Sequence, residues 1–279
     1  MREFIDLRMK PMKARAIAFL LICLLSLAAA SAQEIKVELP RGLGYATSDP
    51  ALISESAIIV SIPSGNEFYV GNRRISKDQL GAQISELLKQ DEANRIVYIV
   101  SSPGADYGIV VDVLQIIRER DVEQFGLIVD RGSSSEVLRG VFLIQVPTMR
   151  DPGEDISKLK PNPLTLVASV SSALELKLNQ DPGPRRGGLC FSSVPHGLGN
   201  DPGNLQKWLT CLFDSRTNQR AYKIDMETRT DVPLEQRIEK TVFVKAPRSV
   251  KYGDVLRVIN ALQGAKANPI GLQIDDLPN

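Results

Sequence analysis

The sequence predicts an α+β protein made of two tandem domains, each a small mixed sheet with two helices on one face. One observation is a repeat: residues 107–130 align without a gap to residues 252–275, at an offset of 145 positions. The identical pairs are Tyr107/Tyr252, Gly108/Gly253, Val110/Val255, Val113/Val258, Gly126/Gly271, Leu127/Leu272 and Asp130/Asp275. The other is that the order strand, hairpin, helix, strand, helix, strand is found twice.

The first 32 residues are predicted to be a signal peptide. A basic start precedes the apolar run Ala16–Ala30, and Ala30-Ser31-Ala32 is typical of a cleavage site, so the mature chain would begin at Gln33. The apolar run is shorter than the roughly 20 residues that span a membrane. Retention as a membrane anchor is the alternative.

The mature chain has no excess of positive charge. The whole sequence contains 34 Lys and Arg against 33 Asp and Glu, and the leader carries more basic than acidic residues. Removing the leader therefore leaves a slightly acidic protein. Nucleic-acid binding depends on Lys and Arg neutralising phosphates, so no nucleic-acid partner is expected.

The first domain, residues 33–131, is predicted from its hydrophobic patterns. Short β-branched and apolar runs around turns predict strands, and apolar residues at helical spacing predict helices. In order these are strand Ile35–Pro40, hairpin Ala57–Ile62 with Glu67–Val70, a helix from N-cap Ser76 to Gln90, strand Arg95–Val100, helix Tyr107–Arg120 and a strand in "FGLIVD".

The second domain, residues 132–279, is predicted to repeat this order. Its elements are strand Phe142–Pro147, hairpin Leu166–Asn179, helix Asn204–Asp214, strand Thr241–Ala246, a helix from Tyr252 and a last strand. The offset between the copies grows from 108 to 145 residues after the hairpin. An insertion around residues 180–240, rich in Gly, Pro and charge, is therefore expected to form surface loops.

Two cysteines remain after the leader, which contains Cys23, is removed. Cys190 and Cys211 are predicted to form a disulfide, because export permits one; two unrelated buried thiols are the alternative. A zinc site with His196 is not favoured, since the spacing matches no paired-ligand motif. His196 is the single histidine, and the chain has no G-x-S-x-G, so neither catalysis, a metal nor a cofactor is expected.

Tyr107-Gly108 and Tyr252-Gly253 open the second helix of each copy. Backbone N–H groups at a helix start can bind an anion or a peptide carboxylate, so these four residues are the candidate partner-binding site. The alternative is structural: Tyr packs over the hairpin and Gly permits a tight helix start. The edge of the first strand is a further candidate, because it could accept a strand from a partner.

The first copy resembles the periplasmic domain of the ExbD/TolR biopolymer-transport family. The resemblance lies in "VELPRG", "IIVSIPSGNEFYVGNRRISKDQLGAQISELL", "RIVYIVSSPGADYGIVVDVL" and "FGLIVD". It covers Val37–Asp130 well and Phe142–Asp275 more loosely.

The resemblance implies a non-enzymatic domain that follows one transmembrane helix, dimerises, and works with ExbB/TolQ and TonB/TolA-type proteins or peptidoglycan. The family's membrane helix carries a proton-binding Asp, but Ala16–Ala32 contains no acid. We therefore expect a periplasmic, or membrane-anchored, accessory protein that binds partners without coupling protons. Two fused copies would imitate the family's dimer, and a homodimer is a further option. A peptidoglycan- or glycan-binding module with no motor connection is the alternative function.

Overall fold

The structure is a computed structural model that describes residues 57–65, 67–90, 95–129, 141–146, 162–179 and 197–274. Residues 57–129 are called the first half and residues 141–274 the second half. The predicted leader, the first strand Ile35–Pro40, Cys190 and His196 lie outside the described residues.

The elements alternate between strands and helices in both halves. The first half contains β1 Ile58–Ser64, β2 Glu67–Val70, β3 Arg73–Ile75, α1 Lys77–Gln90, β4 Ile96–Ser101, α2 Tyr107–Arg118 and β5 Gln124–Val129. The second half contains β6 Val141–Gln145, β7 Leu166–Val170, β8 Leu176–Leu178, α3 Pro202–Asn218, α4 Leu234–Arg237, β9 Val242–Lys245, α5 Tyr252–Gly264 and β10 Ile270–Leu272. Each predicted element that falls on described residues is present, within a few positions of its predicted bounds.

The helix boundaries follow from local chemistry. At the start of α1, the Gln79 side chain accepts a hydrogen bond from the Ser76 N–H at 3.2 Å, which is one half of a capping box. At the start of α3, the Asp201 carboxylate accepts from the Gly203 N–H at 2.8 Å, and Pro202 occupies the first helical position. These contacts satisfy backbone groups that a helix start leaves without an internal partner.

Sequence reasoning missed strand β3. It pairs antiparallel with β2, and the connecting turn contains Gly71 at φ 56°, a left-handed conformation that glycine adopts without strain. Arg73 and Arg74 are exposed, so only Ile75 gives this strand a buried apolar side chain. Three residues with one apolar position are too short a pattern to predict a strand.

All ten described strands form one mixed sheet in the order β3-β2-β1-β4-β5-β6-β10-β9-β7-β8. In each half the hairpin lies at the outside, and the strands that follow it are added parallel, towards the middle. A strand–helix–strand connection between parallel neighbours is nearly always right-handed, which places successive helices on the same face. Accordingly the longer helices contact one another in the row α1-α2-α5-α3.

The expected arrangement of two domains with separate sheets is not confirmed, because β6 joins the halves. It pairs antiparallel with β5, from Gln124↔Gln145 to Ile128↔Val141, and parallel with β10 at Gly271↔Gln145. Phe142 and Ile144 on β6 are 1% and 2% exposed. A shared strand covers two sheet edges at once and buries this apolar pair, which two separate sheets would leave at their edges. The buried residues of both halves accordingly form one hydrophobic cluster.

Each half contains a glycine under an aromatic ring, at the same 145-residue offset. A Cβ added at Gly126 would lie 2.4 Å from the Tyr98 ring, and one added at Gly271 would lie 2.4 Å from the Phe243 ring. The glycines are paired in register with those aromatic residues on the neighbouring strands. Close packing against the aromatic ring, rather than backbone conformation, thus explains the glycines at positions 126 and 271.

We expect Gly126→Ala and Gly271→Ala to lower the free energy of unfolding by about 1–3 kcal/mol, because the aromatic ring must move to admit the new methyl group. Denaturant unfolding checks this. Gly104→Ala is the matched control, since its Cβ would meet no atom nearer than 3.9 Å. If all three variants unfolded at the same denaturant concentration, the packing explanation would be wrong.

Candidate functional site: the helix junction

The structure brings together the four residues that were predicted to bind a partner. Tyr107-Gly108 at the start of α2 and Tyr252-Gly253 at the start of α5 lie on either side of an isolated antiparallel bridge between Asp106 and Lys251. We call residues 103–108 and 248–253 together the helix junction. Its two segments are related by the 145-residue offset of the repeat.

Reciprocal backbone hydrogen bonds hold the helix junction together. On the first-half side, Tyr107 N–H donates to Val250 O at 2.9 Å and Gly108 N–H donates to Arg248 O at 2.9 Å. On the second-half side, Tyr252 N–H donates to Ala105 O at 2.8 Å and Gly253 N–H donates to Pro103 O at 2.9 Å. Each helix start is therefore capped by carbonyl groups that precede the other helix.

Side-chain capping is absent at the two helix starts, and the carbonyl groups take its place. The N-cap residues are Asp106 for α2 and Lys251 for α5, and neither side chain makes a capping hydrogen bond to its own helix. Lysine cannot accept a hydrogen bond at all, so α5 depends on acceptors from elsewhere. The loop before α2 supplies them, which explains how an unfavourable N-cap residue is tolerated.

The glycines of the helix junction are required by close approach. A Cβ on Gly253 would lie 2.9 Å from Pro103 Cβ and 3.0 Å from Pro103 O. A Cβ on Gly108 would lie 3.1 Å from both Cβ and O of Arg248. Both contacts are tighter than ordinary van der Waals distances, and both involve backbone atoms. The structural interpretation of these glycines, a tight helix start, is the one that this geometry supports.

The two tyrosines of the helix junction are fully buried. Tyr252 donates its hydroxyl hydrogen to Ile128 O at 3.2 Å, whereas the Tyr107 hydroxyl has no hydrogen-bond partner among the described residues. Burial raises the pKa of the Tyr107 phenol, an effect that the charge of Arg248 partly offsets. Burial also raises the pKa of Tyr252. Both phenols are therefore neutral at physiological pH.

Two ion pairs cross between the halves beside these hydrogen bonds. Lys251 Nζ lies 2.6 Å from Asp106 Oδ1, and both side chains are more than half exposed. Arg248 is paired with Asp112 on α2, and its guanidinium also donates to Gly108 O at 3.1 Å. Asp112 accepts a second bond from Lys77 Nζ at 2.6 Å, so two cations flank this carboxylate.

The N–H groups that were expected to meet a ligand are thus occupied within the chain. A ligand could reach them only if the two halves separated at the helix junction. The partner-binding role of the four Tyr and Gly residues stays a prediction. What the geometry supports directly is a closed interface between the two halves.

Sequence reasoning missed the charged residues Asp106, Lys251, Asp112 and Arg248. The signal that could have found two of them was the repeat itself, because Asp106 and Lys251 precede Tyr-Gly at equivalent positions and differ in charge. Asp112 and Arg248 are not equivalent positions, and only the fold brings them together.

The remaining predicted site residues lie apart from the helix junction or outside the described residues. Cys211 lies on α3, is 5% exposed and is disulfide-bonded. Because Cys190 is outside the described residues, its pairing with Cys211 stays a prediction. Among the described residues no group of three or more His, Cys, Asp or Glu side chains could hold a metal ion. In that same part of the chain, no helix has the length and apolar character needed to span a bilayer.

The described residues thus form a mixed α/β protein with one layer of helices on its sheet. Its two halves meet at a closed, hydrogen-bonded helix junction.

Comparison with known families identifies a related family for part of the chain. Residues 8–132 match the sequence profile of the family described as biopolymer transport protein ExbD/TolR. The resemblance is confirmed over this stretch, which contains β1 to β5, α1 and α2. No curated protein matches the chain.

We expect Gly253→Ala to lower the free energy of unfolding by about 1–3 kcal/mol, because the new methyl group would push against the backbone of Pro103. Gly197→Ala is the control, since a Cβ there meets nothing within 4 Å and should change stability by less than about 0.5 kcal/mol. Urea unfolding of both variants provides the comparison. Equal stability of the two would show that the helix junction is looser than its distances indicate.

We expect Tyr252→Phe to cost about 1–2 kcal/mol at pH 7, because Ile128 O loses its buried donor, and Tyr107→Phe to be close to neutral. The pKa of each phenol is raised in the folded state, so its contribution to stability is complete below about pH 10, the unfolded-state value, and is lost as the pH rises further. Denaturant unfolding at pH 7 and above pH 10 tests both points. Each Phe variant should lose less stability than the wild type on going to the higher pH; an unchanged pH dependence would contradict this.

Proposed function

We propose that the chain is a non-enzymatic, exported accessory protein of an ExbD/TolR-type envelope-transport system, and that it acts by binding other proteins. The observation that carries this proposal is the family match over residues 8–132. Its partners would be proteins of the ExbB/TolQ or TonB/TolA type, or peptidoglycan. The chain would reside in the periplasm after cleavage before Gln33, with inner-membrane anchoring as the alternative.

The proposed role excludes proton coupling by this chain itself. A buried ionisable group in a membrane segment is costly and therefore marks a functional site, such as a proton relay. The apolar run Ala16–Ala32 contains no Asp, Glu or His. The chain would therefore act beside a proton-driven complex, using the binding capacity of the family without the family's proton carrier.

The second half would be a diverged second copy of the ExbD/TolR unit, so that one chain supplies what the family obtains by dimerisation. Three equivalences at 145 residues support this: the aromatic pairs over Gly126 and Gly271, the reciprocal capping of the helix junction, and the left-handed residues Asp121 and Lys266 after α2 and α5. A Cys190–Cys211 disulfide would fix the insertion of the second copy to α3.

Crosslinking of intact cells that express the tagged full chain, followed by purification from envelopes and mass spectrometry, tests the proposal. We expect proteins of the ExbB/TolQ or TonB/TolA type to co-purify. The matched control is the same chain starting at Gln33, which lacks the leader and should capture none of them. Failure to recover any such protein, or peptidoglycan, would count against the proposed function.

Two further measurements separate the alternatives. The N-terminal sequence of the cellular protein distinguishes a cleaved chain that begins at Gln33 from a membrane-anchored one that retains the leader. Sedimentation with purified sacculi identifies a peptidoglycan-binding module, because only that function requires binding when no other protein is present.

A further inference from the structure

The helix junction places equivalent positions of the two halves face to face. Asp106 and Lys251 differ by 145 residues, the offset of the repeat, and they form the bridge itself. The flanking hydrogen bonds run from Tyr107 N–H to Val250 O and from Tyr252 N–H to Ala105 O. This is the pattern of a non-hydrogen-bonded antiparallel pair, in which the side chains of opposing residues are closest. The local two-fold axis therefore passes between Asp106 and Lys251.

A residue beside a two-fold axis meets its own copy when two identical units pair. If first halves of two chains paired through this surface, Asp106 would face Asp106. If second halves paired, Lys251 would face Lys251. Like charges directly opposite each other on antiparallel strands are destabilising. Only the pairing of unlike halves places opposite charges across the axis, as found at 2.6 Å here.

The second ion pair discriminates in the same way. Asp112 is paired with Arg248, and the equivalents of these residues at 145 positions are Arg257 and Pro103. Two second halves would bring Arg257 towards Arg248, which are like charges. Two first halves would bring Asp112 towards Pro103, which carries no charge. Both alternatives lose the attraction that the unlike pairing has.

We propose that Asp106/Lys251 and Asp112/Arg248 make the helix junction selective for unlike halves, so that the chain closes on itself and does not form a homodimer through this surface. At the helix junction, each half is thus complementary to the other half of the same chain. The selectivity comes mainly from repulsion in the wrong pairings, since an exposed ion pair adds little stability by itself. The short connection between the halves then favours closure within one chain over exchange between chains.

A charge-reversal cycle on the full chain tests the selectivity. Asp106→Lys and Lys251→Asp each place like charges across the axis, and each should lower the melting temperature by about 2–4 °C at low salt. The double variant Asp106→Lys/Lys251→Asp restores opposite charges and should recover most of this loss. At about 1 M NaCl, where charges are screened beyond roughly 3 Å, the differences should shrink.

The matched control is the exposed ion pair Glu67–Arg74, which lies within the first half at 2.9 Å. Its reversal should leave the pairing of the halves unchanged. Failure of the double variant at positions 106 and 251 to recover the stability lost in the single variants would overturn the proposal.

A zero-length carbodiimide crosslink between Asp106 and Lys251 reports which chains pair. In an equal mixture of ¹⁴N- and ¹⁵N-labelled wild-type chains that are refolded together, we expect the crosslinked peptide pair to carry a single isotope. A mixed-isotope pair would show exchange between chains, and a Lys251–Lys251 crosslink formed by an amine-reactive reagent between chains would show pairing of like halves. Either result would overturn closure within one chain.

Discussion

The two buried helix starts at Tyr107 and Tyr252 depend on carbonyl groups from the opposite half of the chain. A helix start that is removed from water must find acceptors for its first N–H groups, or else lose the free energy of those hydrogen bonds. Here the loop before each helix supplies the acceptors for the other helix. Neither helix start has these hydrogen-bond acceptors without the other half. This exchange of acceptors makes the two halves one structural unit.

Strand β6 likewise supplies hydrogen-bond partners to both halves, in this case within the sheet. One strand lies between β5 and β10, antiparallel to the first and parallel to the second, and it closes both edges. The exchange of hydrogen bonds therefore occurs at two levels, between strands in the sheet and between helix starts above it. A sheet continuous across both halves, together with one hydrophobic cluster, explains why the boundary between the predicted domains does not appear as a break in packing.

The contacts at the helix junction also distinguish the two halves from each other. A chain that contains both halves can change one half without changing the other. The differences already lie at the interface, where Asp106 faces Lys251 and where Tyr252 has a hydroxyl partner that Tyr107 lacks. The insertion between β8 and β9 belongs to the second half alone. The two halves thus differ in their charges and hydrogen bonds on the two sides of a closed junction.

Most of the secondary structure was determined by the sequence itself, because hydrophobic periodicity and cap residues act locally. The stripe Val110, Val113, Leu114 and Ile117 predicted α2, and the repeat located α5 from it. Tertiary structure decided what local patterns do not contain. The Tyr-Gly N–H groups are bonded, and Asp112 is paired with Arg248, through contacts between residues more than 100 positions apart. The strands that pair with β6 were also not predictable, because strand edges look alike in sequence. The sequence thus predicted two similar units. The tertiary structure joins them into one unit, because each helix start obtains its hydrogen-bond acceptors from the other half.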